Sequence, residues 1–210
     1  MFTLIKREIE DHLAYFIGAI ILSALISAIL ISSFYYSEAE GLEPVFFLLA
    51  IPAIVVLTIG FSSMGVSQMY TDRNRKISTF LIGLPVTRSQ ILTARIITGI
   101  LAILIVFLPV TITGMFLMRI FAPPIPIFTA IISEIYVVIF LMAFSCYCLG
   151  LQTGWTSSRI TPTLGGIVLT CIFVPLILVK GFGLHIKVIL VLFIVASLIR
   201  TWQKFKTTAL

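Results

Sequence analysis

LAYFIGAIILSALISAILISSFYY, residues 13–36, runs for twenty-four positions without a charged side chain. A helix needs about 20 mostly apolar residues to cross the hydrocarbon core of a bilayer, and this run supplies them. It is too long for the apolar core of a signal peptide, and no small-residue cleavage site follows it. It is therefore read as a permanent anchor.

Five further runs follow, at 45–67, 93–118, 127–152, 163–179 and 184–199. Pro52 falls inside the second, where neighbouring helices can re-satisfy the backbone group it frees. His185 and Lys187 fall in the first turn of the last, within snorkelling reach of the headgroups. Of all 210 residues 60% are hydrophobic and 10% charged, with a mean hydropathy of +1.21. A soluble domain carries about 25% charged residues. The chain is thus read as an all-α integral membrane protein, one transmembrane domain over residues 1–210 with six spanning helices.

The connections set its orientation. Eleven of the fourteen basic residues (Lys6, Arg7, Arg73, Arg75, Lys76, Arg88, Arg95, Arg159, Arg200, Lys204, Lys206) fall on one side of the alternating runs. Arg119, Lys180 and Lys187 fall on the other, beside the acidic stretch with Glu38, Glu40 and Glu43. The positive-inside rule puts both termini and the long loop 68–92 in the cytoplasm. It also accounts for the net charge of +6 without nucleic acid, since the basic residues line no single face. Trp202 and the Phe34–Tyr35–Tyr36 cluster suit the two interfacial belts. Arg95 and Arg159 are expected to bind headgroups or backbone carbonyls.

Small residues point to close helix contacts. Ala19, Ser23 and Ser27 recur at four-residue spacing beside Ala24 and Ala28, and Gly150 and Gly154 form a GxxxG pair. These suit a tight bundle or a dimer face. Cys146, Cys148 and Cys171 match no zinc or redox spacing and read as small packing residues.

Two segments are more than spans or plain connectors. In residues 1–12, Phe2, Ile5, Ile9 and Leu13 recur at helical spacing, with Lys6, Arg7, Glu8, Glu10 and Asp11 between them. That describes an amphipathic helix lying in the membrane interface, in contact with lipid. In the loop 68–92, Asp72, Arg73, Asn74, Arg75 and Lys76 precede Ile77, Phe80, Leu81 and Leu84, which share one helical face. Pro85 ends that short helix. Thr87 and Gln90 then form a capping box, with Val86 and Ile91 as its hydrophobic staple. A stiff knob beneath the membrane suits docking into another protein.

The sequence 71–76 (TDRNRK) followed by 80–91 (FLIGLPVTRSQI) resembles the cytoplasmic loop of ABC-2 type permeases, where a charged stretch leads into an LPVTR-x-x-I turn and the next membrane helix. Residues 4–8 (LIKRE) are similar to that family's N-terminal elbow helix. The six-span layout agrees along the whole chain, although sharp motifs cover only these segments. The resemblance implies a subunit that pairs with an identical or different permease and rests on separate ABC-type ATP-binding subunits, which would carry the ATP and Mg. It makes residues 74–84 the coupling helix, with Asn74, Arg75, Lys76, Ile77, Phe80, Leu81, Leu84 and Pro85 at the ATPase interface and Phe2, Ile5, Lys6, Arg7 and Ile9 in the elbow. The implied location is a prokaryotic cytoplasmic membrane, and the implied activity is export of a lipid, peptide or drug-like molecule. Larger members carry re-entrant segments between the fifth and sixth spans; here that connection is only 180–187.

The chain has no GxxxxGK[ST] loop, HExxH or GxSxG, so no ATP hydrolysis by the P-loop route and no cofactor is expected of it. Glu134 is the one carboxylate inside a spanning run. A charge there costs about 2.5–3.5 kcal/mol, which the surrounding apolar residues offset at about 0.3–0.6 kcal/mol each. Glu134 is therefore expected to face the bundle or a hydrated cavity, in transport, gating or an interhelix hydrogen bond. Alternatives to the permease are an ATP-independent carrier or intramembrane enzyme using Glu134, and a non-transporting scaffold or immunity subunit.

Overall fold

In hydrocarbon a chain must satisfy its own backbone, and a helix does so within one segment. The computed structural model describes residues 2–40, 43–75, 88–121, 126–154, 164, 168, 171–172 and 183–207, and among these it has six helices and no strand. They are α1 (Phe2–Asp11), α2 (Leu13–Glu40), α3 (Glu43–Arg75), α4 (Arg88–Phe121), α5 (Pro126–Thr153) and α6 (Leu184–Thr207). Four are long and apolar enough to cross a membrane, over Leu13–Ser32, Ser89–Leu117, Ser133–Thr153 and Leu184–Lys204. The chain is a membrane protein.

Several helices outrun their expected spans. The run 45–67 lies within α3, which continues unbroken through Pro52 and on to Arg75. Residues 68–75 therefore belong to this helix and not to the loop, and Asn74 and Arg75 lie in its last turn. The reason is local: Ser67 to Arg75 contains neither proline nor glycine, so nothing in that stretch breaks the helix. Lys76, Ile77, Phe80, Leu81, Leu84, Pro85 and Thr87 lie outside the described residues. The next helix starts at Arg88, one residue after the expected cap. Of the fifth run, only Leu164, Val168, Cys171 and Ile172 are described, each helical and exposed.

Many of the bundle's large apolar side chains face outward, while much of its polarity lies inside. Ile17, Ile20, Ile21 and Leu25 of α2, Ile112 and Phe116 of α4, and Val188, Leu192 and Val195 of α6 are exposed. Ser23, Thr58, Ser62, Gln68, Thr98, Ser145, Ser197 and Thr201 are buried. Lipid offers no drive to bury leucine, so close contact of small residues and hydrogen bonds hold the helices together. Most of the buried hydroxyls bond back to their own helix, as Thr98 does to the Ala94 carbonyl (2.8 Å) and Ser145 to that of Leu141 (2.8 Å).

The most extensive packing is α3 on α5, followed by α2 on α4 and α6 on α5. The α3–α5 contact is a glycine seam. A Cβ on Gly65 would lie 2.6 Å from the Tyr147 carbonyl oxygen and 2.9 Å from the Leu151 nitrogen, and one on Gly154 would lie 2.8 Å from Met69 Cβ. A Cβ on Gly150 would run into the Ser62 carbonyl oxygen. The Gly150–Gly154 pair thus serves contact within the chain. Ala19 and Ser23 are likewise buried and pack inside the bundle, whereas Ala24 and Ala28 of the same helix are exposed.

Candidate functional site

The polar residues that converge lie where α1 meets the bundle. α1 gives way to α2 at His12, whose N–H donates to the carbonyls of Glu8 (3.2 Å) and Ile9 (3.3 Å), while the Tyr15 N–H donates to the His12 carbonyl (2.9 Å). This turn swings α1 onto α4. Leu4 and Ile9 pack against the core, and Ile5 is half-buried. Lys6 and Arg7 make i,i+4 pairs with Glu10 (3.9 Å) and Asp11 (3.8 Å). These exposed pairs contribute little.

Glu8 points inward. Arg95 Nε donates to Glu8 Oε1 at 3.2 Å, with the arginine side chain 2% and the glutamate 18% accessible. A second guanidinium nitrogen approaches Met69 Sδ at 3.5 Å. The expectation that Arg95 binds headgroups is thereby corrected. A buried guanidinium needs a counter-charge, and the N-terminal helix delivers it.

A second layer lies against the first. Tyr147 of α5 is fully buried, and its hydroxyl lies 2.7 Å from Gln68 Oε1 and 2.8 Å from the Arg95 carbonyl oxygen. A phenol has one proton, so both contacts are hydrogen bonds only if the Gln68 amide turns its NH2 to the phenol oxygen while the phenol donates to Arg95. Gly99 makes this possible, because a side chain there would strike the Tyr147 ring. Helices α3, α4 and α5 and the N-terminal helix thus meet in one polar junction.

No family model, curated protein or solved structure matches the chain. Its chemistry therefore has to be read from its own side chains. Among the described residues no three His, Cys, Asp or Glu side chains are placed to hold a metal. Cys146 and Cys148 are buried, consistent with packing; Cys171 is exposed. Trp202 is half-buried and packs against the core.

Glu134 does not face a buried cavity. Its side chain is 54% accessible and its Oε1 accepts from Lys187 Nζ at 3.2 Å. The carboxylate comes from the third turn of α5 and the amine from the first turn of α6, and the two neutralise each other there. Of its expected roles, the interhelix hydrogen bond is the one with a partner in the structure.

His12 is 6% exposed, and its ring meets that of Tyr15 edge-on. Burial lowers its pKa below the ordinary 6.5; Glu8, with Oε2 3.8 Å from Nε2, and Asp11 oppose the shift, and Arg95 adds to it. A docked histidine with a lowered pKa binds fewer protons than an undocked one. Docking of α1 is therefore strongest above pH 6.5 and weakens as pH falls from there toward the docked value. Spin labels at Lys6 and Thr93 should show a broader distance distribution at about pH 5 than at about pH 8. His12→Gln should remove most of that difference.

Proposed function

We propose that this chain is the membrane-spanning subunit of an ABC-2 type transporter, driven by separate ATP-binding subunits and exporting its cargo across a prokaryotic cytoplasmic membrane. The observation that carries the reading is the convergence of three elements at one end of the bundle. α3 runs on past its apolar stretch to Arg75, α4 resumes at Arg88, and α1 is held on α4 by the Glu8–Arg95 pair, with Gln68 of α3 lining the same cavity. The permease-like residues 76–87 connect these two helices in the sequence, which suits them to transmit a push. Closure of two nucleotide-bound ATPase subunits would bias the packed helices between two arrangements.

The directions of α5 and α6 support six crossings. Glu134 meets Lys187 near the start of both helices, and Gln152 accepts from Ser197 farther along both (3.1 Å). They run the same way, so the chain has to return between them, a role that suits the apolar run 163–179. Pairing with a second permease and cytoplasmic termini belong to the same proposal. An enzyme or carrier built on Glu134 is not favoured, because that carboxylate is exposed and matched to a lysine.

The test is Phe80→Asp. A charge on the apolar face of the knob should abolish co-purification of the ATPase subunit and transport in vesicles, with the membrane subunit still inserted. Normal association and transport in that variant would refute the docking role.

A further inference from the structure

Gln68 is 2% exposed, and one end of its amide has no hydrogen-bond partner among the described residues. Turning the amide only exchanges which end is unmatched. The same side chain lines a cavity of about 20 Å³, together with Leu4, Glu8, His12, Thr71 and Arg95. A site for one water needs about 10–15 Å³ by this measure and two to four polar partners. The wall offers donors (the guanidinium groups of Arg7 and Arg95 and the threonine hydroxyl) and acceptors (the carboxylates of Glu8 and Asp11) in a charge-balanced set.

We propose that this cavity binds one water molecule, which joins Gln68 of α3 to the polar side chains of α1, so that the N-terminal helix is fastened through a hydrated junction. A halide could accept from the donors but not donate to the carboxylates, and an ammonium ion could do only the reverse. Water does both. Bridging water holds polar groups together nearly as well as direct contact, and here it completes the hydrogen bonding of an amide that its protein neighbours serve on one side alone. The site lies on α1, α3 and α4, and its occupancy does not depend on the transport reading.

Hydroxyl-radical footprinting by synchrotron radiolysis, applied to the full chain in lipid nanodiscs, reads such a water directly, because radicals formed from it label the side chains around it. His12 and Ile91 line the cavity and are 6% and 2% exposed, while Ile103 is 0% exposed and is not among its lining residues. Labelling of His12 and Ile91 without Ile103 is expected. It should be lost in Leu4→Phe, which fills the space, and in Gln68→Leu, which removes the amide. Absence of labelling in the natural chain, labelling of Ile103 to the same degree, or labelling that persists in Leu4→Phe would each overturn the proposal.

Discussion

Arg95→Met should release the N-terminal helix and lower the stability of the whole bundle. Methionine keeps most of the volume and removes the charge, leaving Glu8 without the buried guanidinium that it pairs with. Breaking a buried pair by deleting one partner costs about 3–5 kcal/mol. Glu8 retains 18% of its accessibility, so the lower end, about 3 kcal/mol, is expected. The paired change Glu8→Met/Arg95→Met should recover most of the loss, because two apolar residues leave no charge to be solvated. Thermal unfolding of the purified chain in detergent measures both effects, and the spin-label distance between residues 6 and 93 reports release of α1. Should the single variant melt like the natural chain with α1 still in place, the ion pair would have no structural role.

Gly150→Ala is expected to cost about as much, by a purely steric route. The added methyl would meet the Ser62 carbonyl oxygen and lie 3.1 Å from the Val66 nitrogen. Both are backbone atoms of α3, so no rotamer change relieves the contact and the two helices have to move apart. Overpacking of this kind costs about 1–3 kcal/mol. The upper end applies, because an added gap of about 0.5–1 Å forfeits a quarter to a half of each dispersion contact along the seam. Gly60→Ala supplies the control: it lies on α3, the helix that Gly150 packs against, with nothing within 4 Å of the new carbon, and it should be neutral or slightly stabilising. Equal melting temperatures for the two variants would show that the seam is not a tight contact.

Little of the junction was legible in the sequence, where Arg95 read as a contact to headgroups or backbone carbonyls. Arg95 lies seven positions inside α4, and the residues a turn away on either side (Ile91, Leu92, Thr98 and Gly99) offer no carboxylate. Such an arginine demands a partner from another element. Nothing in the spacing chooses that partner among the eight carboxylates of the chain. Glu8 looked like one more charge on the wet side of an amphipathic helix, because periodicity describes how apolar residues cluster and not which helix lies opposite the polar ones. Gln68 and Tyr147 carried still less signal, since each gains meaning only through the other and through the gap opposite Gly99. For Glu134 the error ran the other way. A lone carboxylate in an apolar run was expected to face inward, yet the lysine fifty-three residues later allows it to remain exposed.

Composition and periodicity alone determined that the chain is helical, that it belongs in a membrane, and roughly where most of its long helices begin and end. Those properties follow from each segment meeting its solvent independently: an apolar run in lipid forms a helix whatever its neighbours are. Only the tertiary structure decided which faces touch, that the glycine pair serves an internal seam, and that an N-terminal glutamate neutralises a buried arginine eighty-seven positions away. Helices in lipid choose one another by shape and by the need to match buried polar groups, and both are properties of pairs of surfaces that no single segment contains.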